Sequence, residues 1–160
     1  MTTKTDYTEQ EWKALMEASV GAGMYIIVSD VSLTNMGKEL VGLTNAMQKQ
    51  PVAEGAQELV SAIVADFIAS SKEQHKSWQE SGAGSNPTAT LLGTIKEGLA
   101  VLDAKGTAAE KAGFRTWLMG LAEATAEAGK EGGFLGIGAV RVSDQEKAAL
   151  EQLKKTLELA

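Results

Sequence analysis

Residues 8–28, TEQEWKALMEASVGAGMYIIV, decide between a helical and a mixed fold. The stretch opens on Thr8 and Glu11, three residues apart, which is the spacing of a capping box. Hydroxyl and carboxylate can each satisfy the other residue's free backbone amide. From there Trp12, Leu15, Met16, Ser19, Gly23, Ile26 and Ile27 recur at steps of three and four, the period of one helix face. Taken alone, Met24–Val28 (MYIIV) is β-prone, and a strand is the competing reading there. The period on either side of it favours one continuous helix.

Working outward, the same signals repeat. Asn35–Lys49 predicts a second helix with Leu40, Leu43 and Met47 on one face. Pro51 suits the first turn of a third helix. There Leu59, Val60, Ile63, Val64, Phe67 and Ile68 form a face broad enough for central burial, and the helix runs to about Ser77 or Trp78. SGAGSN, residues 81–86, is a flexible connection. Asn86-Pro87 caps and starts a fourth helix carrying Leu91, Leu92, Ile95, Leu99 and Leu102, which stops at Gly106. Thr107 with Glu110 opens a fifth, carrying Phe114, Trp117, Leu118, Leu121 and Thr125 and ending near Gly129. Ser143 with Glu146 opens the last, with Leu150, Leu153 and Leu157 inward. Between these two, EGGFLGIGAVRV (131–142) fits no helical pattern. The expected fold class is all-α, about six helices in a single bundle.

Composition agrees. A chain of 160 residues, 44% apolar and 22% charged, is long enough for one domain with a proper core. The two prolines leave long helices uninterrupted. The absence of cysteine removes disulfides and thiolate sites and fits a reducing compartment. With a polar N-terminus and no apolar run long enough to span a bilayer, the expected location is cytoplasmic. A net charge of −6 with only two arginines, Arg115 and Arg141, argues against nucleic acid as a partner. Lys154-Lys155 shares its segment with Glu151 and Glu158 and reads as a solvated helix face.

Leu15–Gly23 (LMEASVGAG) and Leu121–Gly129 (LAEATAEAG) match at five positions and conserve Ser19/Thr125 in character. Both follow a tryptophan, Trp12 or Trp117. Two readings stand: an internal duplication, or coincidence between alanine-rich helices. Duplication predicts repeat units at 8–80 and 87–160 related by a pseudo-two-fold axis.

The tests for chemistry are negative. The single histidine, His75, lies among charged neighbours on a helix and reads as exposed; it cannot build a triad, a di-iron site or a zinc site. Asp30, Ser32, Thr34 and Asn35 offer oxygen atoms, but the twelfth position of a calcium loop would be Val41. Glycines 132, 133, 136 and 138 lack the Gly-Lys-Ser/Thr of a phosphate loop and the third glycine of a dinucleotide fingerprint. No cofactor is implied, and an enzyme is the less favoured class. Phe134, Leu135, Ile137, Val140 and Val142, interleaved with glycine, either tuck over the bundle or face a partner, a membrane surface or another copy of the chain. Trp78, beside Lys76, Gln79 and Glu80, reads as a surface aromatic. Phe134, Leu135, Ile137 and Trp78 are therefore the candidate contacts for a protein partner or a homo-oligomer.

YTEQEWKALMEA (7–18), SDVSLTNMGKE (29–39) and EGGFLGIGAVRVSDQEKAAL (131–150) give the chain a resemblance to a family of small bacterial helical proteins. A helix ending in an acidic turn and resumed by a capped, acidic helix is similar, at greater distance, to tellurite-resistance TerB-like domains. That similarity implies an all-helical fold and a metal- or small-molecule-binding stress role. Its candidate ligands are Asp30, Glu39, Glu131 and Glu146, with Asp30 followed by valine where those domains carry glycine.

Overall fold

The computed structural model describes the backbone of residues 1–29, 36–81, 86–130 and 142–160, and the side chains of 1–29, 41–70, 86–128 and 142–160. Among these residues there are six α-helices and no strand. They are α1 (Glu9–Ser29), α2 (Met36–Lys49), α3 (Gln57–Ser81), α4 (Pro87–Lys105), α5 (Ala108–Lys130) and α6 (Asp144–Thr156). Short 3₁₀ turns at Lys4–Asp6 and Glu54–Ala56 precede α1 and α3. The expected all-helical bundle is the observed one, and MYIIV lies within α1.

The helix starts follow from side chains close in sequence. At α1, Thr8 N donates to Glu11 Oε2 (2.7 Å) and Glu11 N to Thr8 Oγ1 (3.2 Å). At α5, Thr107 N donates to Glu110 Oε2 (2.8 Å) and Glu110 N to Thr107 Oγ1 (3.2 Å). At α6, Ser143 N donates to Glu146 Oε2 (2.7 Å) and Glu146 N to Ser143 Oγ (3.1 Å). Each box satisfies two amides the helix itself leaves free. Asn86 caps α4 by accepting from Ala89 N at 3.2 Å, with Pro87 in the first turn.

Two expectations change. Pro51 does not start α3. α2 closes with Gln50 N donating to Ala46 O, and residues 51–53 pass into the 3₁₀ turn before α3 begins at Gln57. A proline disfavours helical geometry in the residue before it, so α2 ends there. The turn that follows has its own contacts, with Ala56 buried against α5. Second, the apolar face of α3 is central only at its start. Leu59, Val60 and Ile63 are buried, Val64 and Phe67 are half-buried, and Ile68 is 49% exposed.

The centre belongs to α1 and α5. α1 lies along α4, α5 lies along α2, and the two also touch each other. Trp12, Leu15, Ile26, Phe114, Trp117, Leu118 and Leu121 are all buried in their shared core. Close approach depends on small residues. A Cβ on Gly98 of α4 would meet Ala18 Cβ at 2.5 Å and Ala14 O at 2.8 Å, so only glycine lets α4 sit this near α1. Gly42 of α2 meets Ala128 and Ala124 of α5 in the same manner. Ser19 and Thr125, at matching places in the two similar stretches, are both fully buried. Each donates its hydroxyl to the carbonyl four residues back, at 2.9 and 2.7 Å.

Candidate functional site

Helical spacing puts Lys96, Leu99, Ala100 and Asp103 on one face of α4, and Gln152, Lys155 and Thr156 on one face of α6. These two faces flank an open cleft of about 440 Å³, which Arg115 of α5 and Glu158 also line. Three cations thus meet two carboxylates in a chain whose net charge is −6.

Arg115 is 9% exposed, unusually buried for an arginine. Its position in α5 explains this: Leu118 and Ala122, one and two turns further on, are fully buried, so Arg115 extends a core-facing row. Its Nη2 donates to both oxygens of Asp103, at 2.9 and 2.8 Å, and lies 3.5 Å from Glu158 Oε2. Nη1 reaches Lys111 O at 3.4 Å, and buried Nε has no acceptor among the described residues. The guanidinium therefore ties α4 to α5, and only one long contact ties it to the turn after α6. The Glu158 side chain is 77% exposed. Lys96 and Lys155 form no ion pair among the described residues.

The turn carrying Glu158 is a Schellman closure of α6. Leu159 N donates to Lys154 O and Glu158 N to Lys155 O, both at 3.1 Å. Glu158 takes the left-handed position, with φ of 55°, alone among the described non-glycine residues. Leu157, fully buried, and Leu159, packed on the core, fix the turn on both sides.

A larger groove, about 1020 Å³, runs beside Lys4, Tyr7, Trp12, Met16, Asp66 and Ala69. Lys4, Trp12 and Asp66 there are already engaged with one another. Lys4 Nζ donates to Asp66 Oδ2 at 2.5 Å, and Trp12 Nε1 donates to the same oxygen at 2.8 Å. The hydrogen bond from Lys4, followed by that from Trp12, holds the Asp66 carboxyl below its usual range against a raising effect of burial. That groove borders the stretch of α3 whose side chains lie outside the described residues.

The residues singled out in the sequence fall elsewhere. Phe134, Leu135, Ile137, Asp30 and Glu131 lie outside the described residues. Glu39 and Trp78 lie within α2 and α3, but their side chains are outside them. Glu146 is the one candidate ligand whose side chain is described. It is 5% exposed, and its carboxylate accepts from Ser143 N in the capping box of α6. Among the described residues no three acidic or histidine side chains are grouped to hold a metal ion. Sequence reading gives Arg115 no site role and has Lys155 on a solvated helix face. The signal for the first was present: a charged residue in register with Leu118 and Ala122. For Lys155 the signal is the tertiary meeting of α4 and α6.

The fold is all-α, and its cleft is lined by three cationic and two acidic side chains. No family model, curated protein or solved structure matches the chain. No helix among the described residues is long and apolar enough to cross a membrane.

Proposed function

We propose that this chain is a non-enzymatic binding domain and that the cleft between α4 and α6 takes a small anionic ligand. The observation that carries this reading is the pair Lys96 and Lys155, neither in an ion pair among the described residues, beside a buried arginine in an otherwise acidic protein. An unpaired lysine contributes little to the fold, whereas two of them around one cleft concentrate positive potential where an anion can settle. Arg115 supplies the oriented donor and Gln152 and Thr156 supply neutral hydrogen-bonding groups.

The magnitude follows from the openness of the site. Exposed charge pairs contribute about 0.2–1 kcal/mol each and a hydrogen bond to a charged group about 1.5–3, so two lysines with one arginine support a Kd of roughly 1–10 mM at low salt. The test is an NMR titration of ¹⁵N-labelled protein with succinate and, separately, inorganic phosphate, against sodium chloride at equal ionic strength. Saturable shifts centred on Lys96, Arg115 and Lys155, lost in the Lys96→Ala/Lys155→Ala double variant, support the reading. Shifts spread over the surface, or unchanged in that variant, would sink it.

A further inference from the structure

We infer that Glu158 is a built-in competitor for the cleft: its carboxylate occupies the place on Arg115 that one end of a dianionic ligand takes. This rests on the anion-binding reading above and adds the ligand class and the way access is controlled.

The position after α6 calls for glycine, because the left-handed backbone is strained for other residues. Here it holds glutamate at φ 55°. Nothing in the closure of the turn uses the side chain, since both closing hydrogen bonds are made by backbone amides. What glutamate adds is a carboxylate 3.5 Å from Arg115 Nη2. Asp103 already holds that nitrogen at 2.8 Å. The two carboxylates differ in grip. Asp103 makes two short contacts; Glu158 makes one long contact and is largely in solvent. Glu158 can therefore rotate away without moving the backbone, which Leu157 and Leu159 anchor.

An incoming anionic group takes the vacated side of the guanidinium. A monoanion only exchanges one carboxylate for another and gains almost nothing. A second anionic group on the same molecule reaches Lys155 or Lys96, which Glu158 leaves unpaired. The ligand class is therefore a small molecule with two anionic groups, either a dicarboxylate or a phosphorylated compound. Charge repulsion from the displaced Glu158 weakens binding, so the native site is tuned to high ligand concentration.

The experiment compares wild-type, Glu158→Gln and Glu158→Gly protein, titrated by NMR with acetate, succinate and inorganic phosphate at fixed ionic strength. Glu158→Gln removes the charge and keeps the strained residue; Glu158→Gly removes both. Expected are a succinate affinity several-fold above that of acetate in wild-type protein and a further rise of about fivefold in both variants. The tighter of succinate and phosphate assigns the dicarboxylate or the phosphorylated class. Equal affinities for acetate and succinate overturn the dianion class. Wild-type binding left unchanged by both variants overturns the competitor role while the anion site stands. Absence of saturable binding in all three proteins overturns the anion reading itself, and the competitor with it. Circular dichroism of each variant confirms the fold; at this exposed position no loss is expected.

Discussion

The two charged corners of the molecule use similar residues and differ in how completely they are satisfied. Near the N-terminus, Lys4 pairs with Asp66, Lys105 with Glu11 at 2.6 Å, and Glu110 gathers Thr107 N, Thr2 N and Thr2 Oγ1. Lys105 also lies over the Tyr7 ring, 5.6 Å from its centroid. At the other corner, among the described residues, Lys96 and Lys155 are unpaired, Glu158 is held by one long contact on a strained backbone, and Arg115 keeps a buried Nε without an acceptor. A closed network stabilises; a corner left open at a stated cost in strain and unmet hydrogen bonding is where a ligand can add something.

The largest effect should come from breaking the closed corner at Glu110. This residue is fully buried, and its removal leaves the Thr107 amide of the α5 start and the Thr2 groups without their acceptor. Glu110→Ala should cost about 3 kcal/mol in denaturant unfolding, combining a lost cap with lost charge-assisted hydrogen bonds. The same residue gives a pH dependence. Burial pushes its carboxyl up more than any single hydrogen bond lowers it. The hydrogen bonds from Thr107 and Thr2 together nevertheless hold it below its ordinary value of 4.5. A depressed folded value means that Glu110 contributes its stability fully above pH 4.5 and loses it as pH falls through the lower folded value. Glu110→Gln should flatten the acid limb of a stability–pH profile; an unchanged limb would place the acid sensitivity elsewhere.

This corner also shows how much was legible in the sequence. Thr8/Glu11, Thr107/Glu110 and Ser143/Glu146 were readable because a capping box is completed within four residues. The six helices followed from those starts and from apolar spacing. Pro51 misled because a 3₁₀ turn packed on α5 intervenes, and that packing is tertiary. The rest of the Glu110 network, from Thr2, joins residues 108 apart and leaves no local trace. The cleft was illegible for the same reason. Lys155 reads as one more solvated lysine until α6 is laid beside α4, and Glu158 reads as helix until the chain turns left-handed. The partner residues proposed from the sequence, Phe134, Leu135, Ile137 and Trp78, have no described side chains, so the comparison of corners does not extend to them.

The open corner should respond to ligand where the closed corner does not. With a Kd of about 1 mM, 10 mM succinate stabilises the folded state by about 1.4 kcal/mol. For a domain of this size that is roughly 3–5 °C in thermal unfolding. The Lys96→Ala/Lys155→Ala variant should show no shift beyond that given by sodium chloride of equal ionic strength.

A smaller change tests the strain. Glu158→Gly relieves the left-handed backbone and loses only a long, exposed contact, so it should stabilise the protein by up to about 1 kcal/mol. A loss of that size would mean that Glu158 secures the end of α6, making the two corners alike.

The smallest expected effect is a difference in size between two lysines. Lys4 sits in a paired network, 2.5 Å from Asp66 and over the Trp12 ring, yet both partners are partly in solvent, so Lys4→Ala should cost about 0.5–1 kcal/mol. Lys155 has no ion-pair partner to lose among the described residues and shares its cleft with Lys96 and Arg115. Those two cations repel it while Asp103, Glu158 and the C-terminal end of α6 attract it, so Lys155→Ala should leave stability within about 0.5 kcal/mol. Raising salt should then shrink both effects, because each is an exposed electrostatic interaction that screening weakens. If Lys155→Ala instead destabilised as much as Lys4→Ala, Lys155 would have a structural partner and the open corner would be closed.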